Sequence, residues 1–403
     1  MQPTTERVLT DWLRVALLVS AGIAAAAHIG KVPGALPVLA AELKLDLGTS
    51  ALLTSIYSLV AATCGLAFGL TAQRFGPLRL VVGGLLLSSA ASLLGAVSQG
   101  AIVLLASRVI EGLGFIMAVV AVPTLIIGAT RAADRPVAMG IWGSYVPAGS
   151  SLMMLATAFT LAPLGWRGVW GLAAAASGLC ALAVWFGMAH QRQSAAAAPV
   201  EALPWRVAVR EALEPQSLLL AGCFMAYGAQ YLAVTSFLPL MLVERLSVPV
   251  AAAGLMGAGV AASNIIGNVG SGWLAGRGWT ARRVITVAAL GMAASSIPVF
   301  ADGVPLALRV SAAMIFTGIG GLIPGTLLGS APQVARTPHA VAGVVGLMIQ
   351  GAGVGQLLGP PFFAACVGWA GSWQGAWAFT ALAGAVLLIC ASLLAKSART
   401  YAT

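Results

Sequence analysis

Charge is what this sequence has least of. Only 8% of its 403 residues are Asp, Glu, Lys or Arg, eleven are acidic and three are histidine. A chain so poor in ionic groups cannot clothe a water-facing globule, which excludes an ordinary soluble fold. Cysteine is scarce too: Cys64, Cys180, Cys223, Cys366 and Cys390 all fall within apolar runs, with no CxxC and no Cys/His cluster. They read as small packing residues, giving no ground for disulfides or a bound metal. No P-loop, HExxH, GxSxG or pair of intramembrane aspartates occurs, and the loops are too short for a catalytic domain. An enzyme has no residues to stand on, and no cofactor is expected. A passive channel or receptor would not explain the internal repeat described below.

Long apolar runs are what the chain does have. Sixty per cent of the residues are apolar and the mean hydropathy is +0.97. A helix needs about 20 residues to cross roughly 30 Å of hydrocarbon. Twelve stretches qualify, near 14–40, 50–71, 78–97, 100–129, 137–163, 167–188, 216–243, 250–274, 283–301, 304–330, 339–368 and 374–395. They lack period-two alternation and are too long for barrel strands, which need about 10 residues. The fold class is therefore an all-α membrane protein with twelve transmembrane helices.

The net charge of +10 is distributed by side, not by sequence block. Fifteen of the 21 basic residues fall in alternate gaps and at both termini, against three (Lys44, Arg167, Arg245) in the other gaps. The excess marks a cytoplasmic face carrying both termini of a multi-pass protein of the cytoplasmic (inner) membrane. The basic charge thus faces lipid headgroups, and no nucleic acid partner is expected. Nothing in the sequence demands an oligomer, so a monomer is expected. The remaining three, Lys31, Arg108 and Arg309, fall inside apolar spans.

Between residues 190 and 215 the apolar signal stops, and the flanking segments repeat. Span one ends "ALPVLAAELKLDLGTSALLTSI" and span seven "FLPLMLVERLSVPVAAAGLMGA", setting Pro37 on Pro239. Span two leaves as "GLTAQRFGPLR" and span eight as "GWLAGRGWTARR", setting Gly69 on Gly272 and Arg74 on Arg277. "GWRGVW" after span five matches "GSWQGAW" after span eleven. The expected organisation is a six-helix bundle over 1–190, a cytoplasmic linker over 191–215 and a second six-helix bundle over 216–403. This repeat needs span one intact, which sets aside a cleavable signal peptide after Arg7 and Arg14.

Parallel repeats of six spans about an axis normal to the membrane belong to a transporter architecture with its site between the halves. Over essentially its whole length the sequence resembles the major facilitator superfamily. The resemblance implies two pseudo-symmetric bundles and transport by alternating access. Gly69, Arg74, Gly76 and Arg79 match that family's loop pattern between spans two and three, with Gln73 where the family has an acid, and Arg277 and Arg282 occupy the equivalent loop. Together these form the expected gating loop. "RVIEGLG" supplies Arg108 and Gly112 of the span-four pattern, whereas "SYVPAGSS" does not meet the span-five pattern of antiporters. "HIGKVPGALP" and "GIWGSYVPAG" are similar to the branch associated with cyanate and nitroimidazole transport.

Depth singles out the candidate site. Eleven residues separate Lys31 from Glu42, which puts the ammonium on the order of 16 Å below that surface. A charge there costs at least about 2.5–3.5 kcal/mol on insertion scales, so it must face a bundle interior or a wet gap. His28 lies three residues before Lys31 on the same helical face. Glu111 is the one acid inside a span, level with Lys31 by the same count, and Arg108 is one turn away. Glu111 either neutralises Arg108 or Lys31 or exchanges a proton; His28 is the second proton-coupling candidate, or else a satisfied packing residue. In the family, spans one, four, seven and ten line the cavity, which puts the cationic pair before an anionic substrate, unless a protein carboxylate neutralises Lys31.

Tyr57, Trp142 and Tyr145 join the N-terminal side of this expected substrate site. Tyr227, Gln230, Tyr231, Asn264, Asn268 and Gln350 form its C-terminal side, with Gln230 the repeat partner of His28. Amides and phenols hydrogen-bond an oxyanion without adding negative charge; singly, each also serves as interhelical glue. Arg309, only about five residues into span ten, is expected to snorkel to the outer interface. The sequence thus points to a secondary transporter, a symporter of a small anion with protons. Efflux of a hydrophobic compound is the alternative, favoured by the methionine- and tryptophan-bearing spans.

Overall fold

The computed structural model describes residues 9–71, 75–188, 205–337 and 340–394, and all regular structure among them is helical. In chain order these are α1 (Trp12–Glu42), α2 (Leu47–Thr71), α3 (Pro77–Ala96), α4 (Ala101–Ala129), the short α5 (Arg135–Gly143) and α6 (Tyr145–Gly187). After the linker come the short α7 (Trp205–Ala212), then α8 (Pro215–Leu246), α9 (Val250–Gly276), α10 (Ala281–Phe300), α11 (Leu306–Val334), α12 (Val341–Ala370) and α13 (Trp373–Leu393). Among the described residues, 11 helices are long and apolar enough to cross a membrane.

The expected twelve spans are recovered because one helix is two. α6 runs for 43 residues but is broken at Gly165, whose φ of 63° and ψ of 176° need a residue without a Cβ. Its first arm ascends with α1: Gly22 meets Tyr145, Gly30 meets Ser150 and Gly34 meets Thr157. Its second arm descends, since His28 meets Ser177 while Lys31 meets Trp170. These arms are the fifth and sixth spans. Local chemistry fixes the other starts. Asp11 caps α1 by accepting from Arg14 N at 3.0 Å, Asp46 caps α2 by accepting from Thr49 N at 2.6 Å, and Pro77 and Pro215 open α3 and α8, where a missing N–H does no harm.

The spans before and after the linker meet along two seams, α2 on α12 and the first arm of α6 on α9. Gly65 and Gly69 of α2 sit against Gln350 and Gly346 of α12, and Gly353 sits against Ala61 and Ala62. Small residues let backbones close up where lipid supplies no hydrophobic drive. Two amides stitch this seam: Gln350 Oε1 accepts from Leu66 N at 3.1 Å, and Gln356 Oε1 accepts from Ser58 Oγ at 2.9 Å.

The apolar core is layered. Toward the end of Glu42, Val32, Leu36 and Leu39 of α1 share one continuous core with Phe237, Leu238 and Met241 of α8. Toward the basic end, Leu18, Leu85, Val122 and Val184 form a separate core confined to the first six spans. The apolar cores of the halves are therefore continuous at one end and separate at the other. His28 and Lys31 lie on α1 where the two cores part.

Candidate functional site

Four ionisable side chains meet at that boundary, as their common depth predicts, but they face into the N-terminal bundle. Lys31, Arg108 and Glu111 are 0%, 1% and 0% exposed. Lys31 Nζ pairs with Glu111 Oε1, donates to Ser92 Oγ of α3 at 2.7 Å and lies 3.3 Å from His28 Nδ1. Its three protons are thereby placed, and the ring of Trp170 covers it at 4.6 Å. Arg108 donates from one terminal nitrogen to Glu111 Oε2 at 2.5 Å and to the His28 carbonyl at 2.7 Å, and stacks over Tyr57 at 4.5 Å. Its Nε has no partner.

His28 completes the cluster. Its Nε2 lies 2.7 Å from Ser177 Oγ, and its Nδ1 lies between the Lys31 ammonium and, at 3.5 Å, Glu111 Oε1. Facing the ammonium, Nδ1 accepts; facing the carboxylate, it donates. Two basic side chains share one carboxylate, and with both protonated the cluster carries one positive charge more than it balances.

The expected exposure of His28 and Lys31 to a gap between the halves is thus corrected. Helical geometry fixes which residues share a face but not which neighbours that face meets. Here it meets Ser92 of α3 and Ser177 and Trp170 of the second arm of α6, none of which was a candidate. Ser177 had one usable signal, its position at mid-span, whereas Ser92, four residues before the end of α3, had none.

Rings occupy the side toward the other half. Tyr57 and Ile29 pack with Leu232 of α8, and Phe115 and Val146 close around them. The ring centroids of Tyr57 and Phe115 are 5.3 Å apart, those of Phe115 and Tyr145 6.3 Å, and Tyr145 stacks on Trp142 at 4.2 Å. Tyr57 also donates to Ala25 O at 3.1 Å. On α8, Tyr227 stacks on Tyr231 at 5.8 Å.

The remaining C-terminal candidates form a neutral network. Asn264 Nδ2 donates to Tyr227 OH at 2.9 Å and to Thr317 O at 2.8 Å, and Asn268 Nδ2 donates to Asn264 Oδ1 at 2.8 Å. Gln230 is fully buried and its Oε1 has no partner. Gln350 does not join them, being held at the α2–α12 seam. Arg309 does not reach outward to water either: its guanidinium turns onto the carbonyls of Val299, Ala301 and Val304 at the end of α10.

Of the expected gating loop, Gln73 and Arg74 lie outside the described residues. Gly76 has φ 81° and precedes α3, which carries Arg79. Gly69 packs in the seam rather than in a loop, and Arg277 lies over Trp273 at 3.2 Å. His190, His339, Lys396 and Arg399 also lie outside the described residues.

The family model described as Major Facilitator Superfamily matches residues 16–350. The chain belongs to the major facilitator superfamily. It is a multi-pass membrane transporter of that family. One relative of this superfamily member is an uncharacterised MFS-type transporter of Mycobacterium tuberculosis (strain ATCC 25618 / H37Rv), 34% identical over 134 residues. That match spans 32% of this chain and 23% of the relative's length. Among solved structures, a bacterial homologue of the human lysosomal transporter Spinster matches in two states. The inward-facing unoccupied form has a TM-score of 0.71 at 17% identity, and the inward-facing occupied form 0.73 at 16%, each covering 94% of both chains. At that identity the likeness is one of fold.

Proposed function

We propose that this superfamily member is a proton-coupled carrier of a small, mainly apolar organic solute with aromatic character, and that Lys31, Arg108, Glu111 and His28 are its coupling element rather than its binding surface. The observation that carries this reading is the complete enclosure of the four groups by protein partners. A charge already saturated by Glu111, Ser92 and His28 attracts no solute from a gap it does not face. The groups between the halves are rings and amides, which bind aromatic and neutral polar surfaces. The arginine-rich end is cytoplasmic in this reading, by the positive-inside rule.

A second reading rests on the charge imbalance. Two cations against one carboxylate favour an anion, which would balance the excess in a conformation that opens Lys31. The experiment uses proteoliposomes with an imposed pH gradient and a panel of labelled neutral aromatic solutes and carboxylates, comparing the parent with Lys31→Met. The first reading expects gradient-driven accumulation of a neutral aromatic, with the variant letting it equilibrate but not concentrate. Accumulation of carboxylates alone, abolished by the variant, establishes the anion reading instead.

A further inference from the structure

The basic end of the last six spans holds a cavity of about 680 Å³, away from the charged cluster and from the seams. Its size falls within the roughly 300–1,000 Å³ of small-molecule sites. Leu220 of α8, Val284 of α10, Val334 of α11 and Leu394 beyond α13 give it an apolar lining. Arg282 and Arg336 stand in its wall, with Arg282 in the first turn of α10, where the helix N-terminus also favours negative charge. Arg336 is engaged by Glu214 at 2.9 Å, while among the described residues Arg282 makes no ion pair. Thr326, also in the wall, has a buried hydroxyl with no hydrogen-bond partner. A shallow surface depression along α7 shares Glu214 and Pro215 with this cavity and adds Arg206 and Arg210.

We propose that this cavity binds an anionic amphiphile, with its phosphate or carboxylate at Arg282 and its hydrocarbon against Leu220, Val284 and Leu394. Apolar walls alone would hold a neutral hydrophobe, and surface arginines alone would hold only counterions; their combination in one cavity selects a molecule with both parts. The site is tied to the middle of the protein. Ser271 in its wall donates to Asn268 O at 2.7 Å, and Asn268 and Asn264 carry the connection to the Tyr227 hydroxyl. This proposal is independent of which solute the carrier moves.

Two sources supply such chemistry, a membrane phospholipid and a free amphiphile. The test places the full chain in phosphatidylcholine nanodiscs, titrates dodecyl phosphate or inorganic phosphate, and reads thermal unfolding and bound mass by native mass spectrometry. One bound dodecyl phosphate with a raised unfolding temperature, and no effect of inorganic phosphate, is expected. Arg282→Gln should weaken binding about tenfold, the loss of one charge-assisted hydrogen bond. Gly329→Phe should abolish it without unfolding the protein, because a Cβ at this cavity-lining position meets no atom within 4 Å. Arg283→Gln removes the same charge next door, outside the lining, and should leave binding unchanged. Competition by phosphatidylglycerol in the disc assigns the site to lipid, and its absence assigns it to a free amphiphile. Equal weakening by Arg282→Gln and Arg283→Gln, or binding that survives Gly329→Phe, overturns the proposal.

Discussion

The two sets of six spans solve the same problem differently at mid-depth. At the end away from the arginines they agree: Glu42 is held by Trp166 Nε1 at 2.9 Å and Arg167 at 2.7 Å, and Asp302 by Arg245 and by Gln374 at 2.7 Å. Arg167 and Gln374 are corresponding residues after the matched tryptophans, but the carboxylates they hold come from different places, the end of α1 and the connection after α10. One layer deeper they part. The first set buries two cations, a carboxylate and an imidazole; the second buries amides and phenols around Asn264 and Tyr227. Hydrogen bonds can satisfy the neutral layer in one conformation without further requirement. The charged layer carries a net positive charge at a depth where charge is expensive, so its protonation and packing respond to each other. That asymmetry is the ground on which the proposed coupling is assigned to the first half.

The sharpest way to break the comparison is Glu111→Gln. Removing one member of a buried ionic cluster costs about 3–5 kcal/mol, because the remaining charges have no partner. The expected result is a large fall in folded yield and in unfolding temperature in detergent. Lys31→Met is the counter-test. It leaves Arg108 and Glu111 as a balanced pair, so the unfolding temperature should hold or rise while pH-gradient-driven accumulation is lost. A fall as large as that of Glu111→Gln would mean that Lys31 is structural.

In the other half, Asn264→Leu takes a donor from the Tyr227 hydroxyl and the Thr317 carbonyl. Interhelical hydrogen bonds in membranes are worth about 1 kcal/mol each, so a loss of about 1–2 kcal/mol is expected, with transport keeping its pH dependence. Abolished pH dependence would show that the neutral layer also carries coupling.

The smallest effect belongs to a surface clamp. Asp134 accepts from Arg131 Nε at 2.6 Å and from Thr10 Oγ1 at 2.6 Å, joining the start of α1 to the connection after α4. The bonds from Arg131 and then Thr10 hold its carboxyl below the usual carboxylate range. A carboxyl lowered on folding stabilises above its ordinary value, and the contribution disappears as pH falls through the lowered one. Asp134→Asn should therefore slightly flatten the acid limb of stability against pH and leave neutral pH almost unchanged. An acid limb identical to that of the parent protein would remove Asp134 from the comparison.

Much of this was legible in the sequence. Span positions follow from apolar run lengths, and even the fold-back at Gly165 is marked by "PLGWRG" between two runs. The meeting of Lys31, Arg108, Glu111 and His28 follows from depth and from the scarcity of counter-charges. The partners that enclose them were not legible, because Ser92, Ser177 and Trp170 are ordinary residues for a membrane helix and become ligands only when their helices dock. Gln350 shows the same limit: expected on the C-terminal side of the site, it is held by Leu66 N in the seam.

The sequence by itself determined the number of spans, the arginine-rich end and the depth of each charge, since all three are positions along one axis, set by rise per residue and by the cost of burying charge. Only the tertiary structure decided the direction in which each side chain points around that axis. Direction depends on which helices pack beside it, and that choice is made by small-residue contacts spread over the whole bundle, such as Gly30 on Ser150 and Gly112 on Tyr57. The buried ammonium of Lys31 consequently turned from the expected gap between the halves to an enclosed partner within one of them.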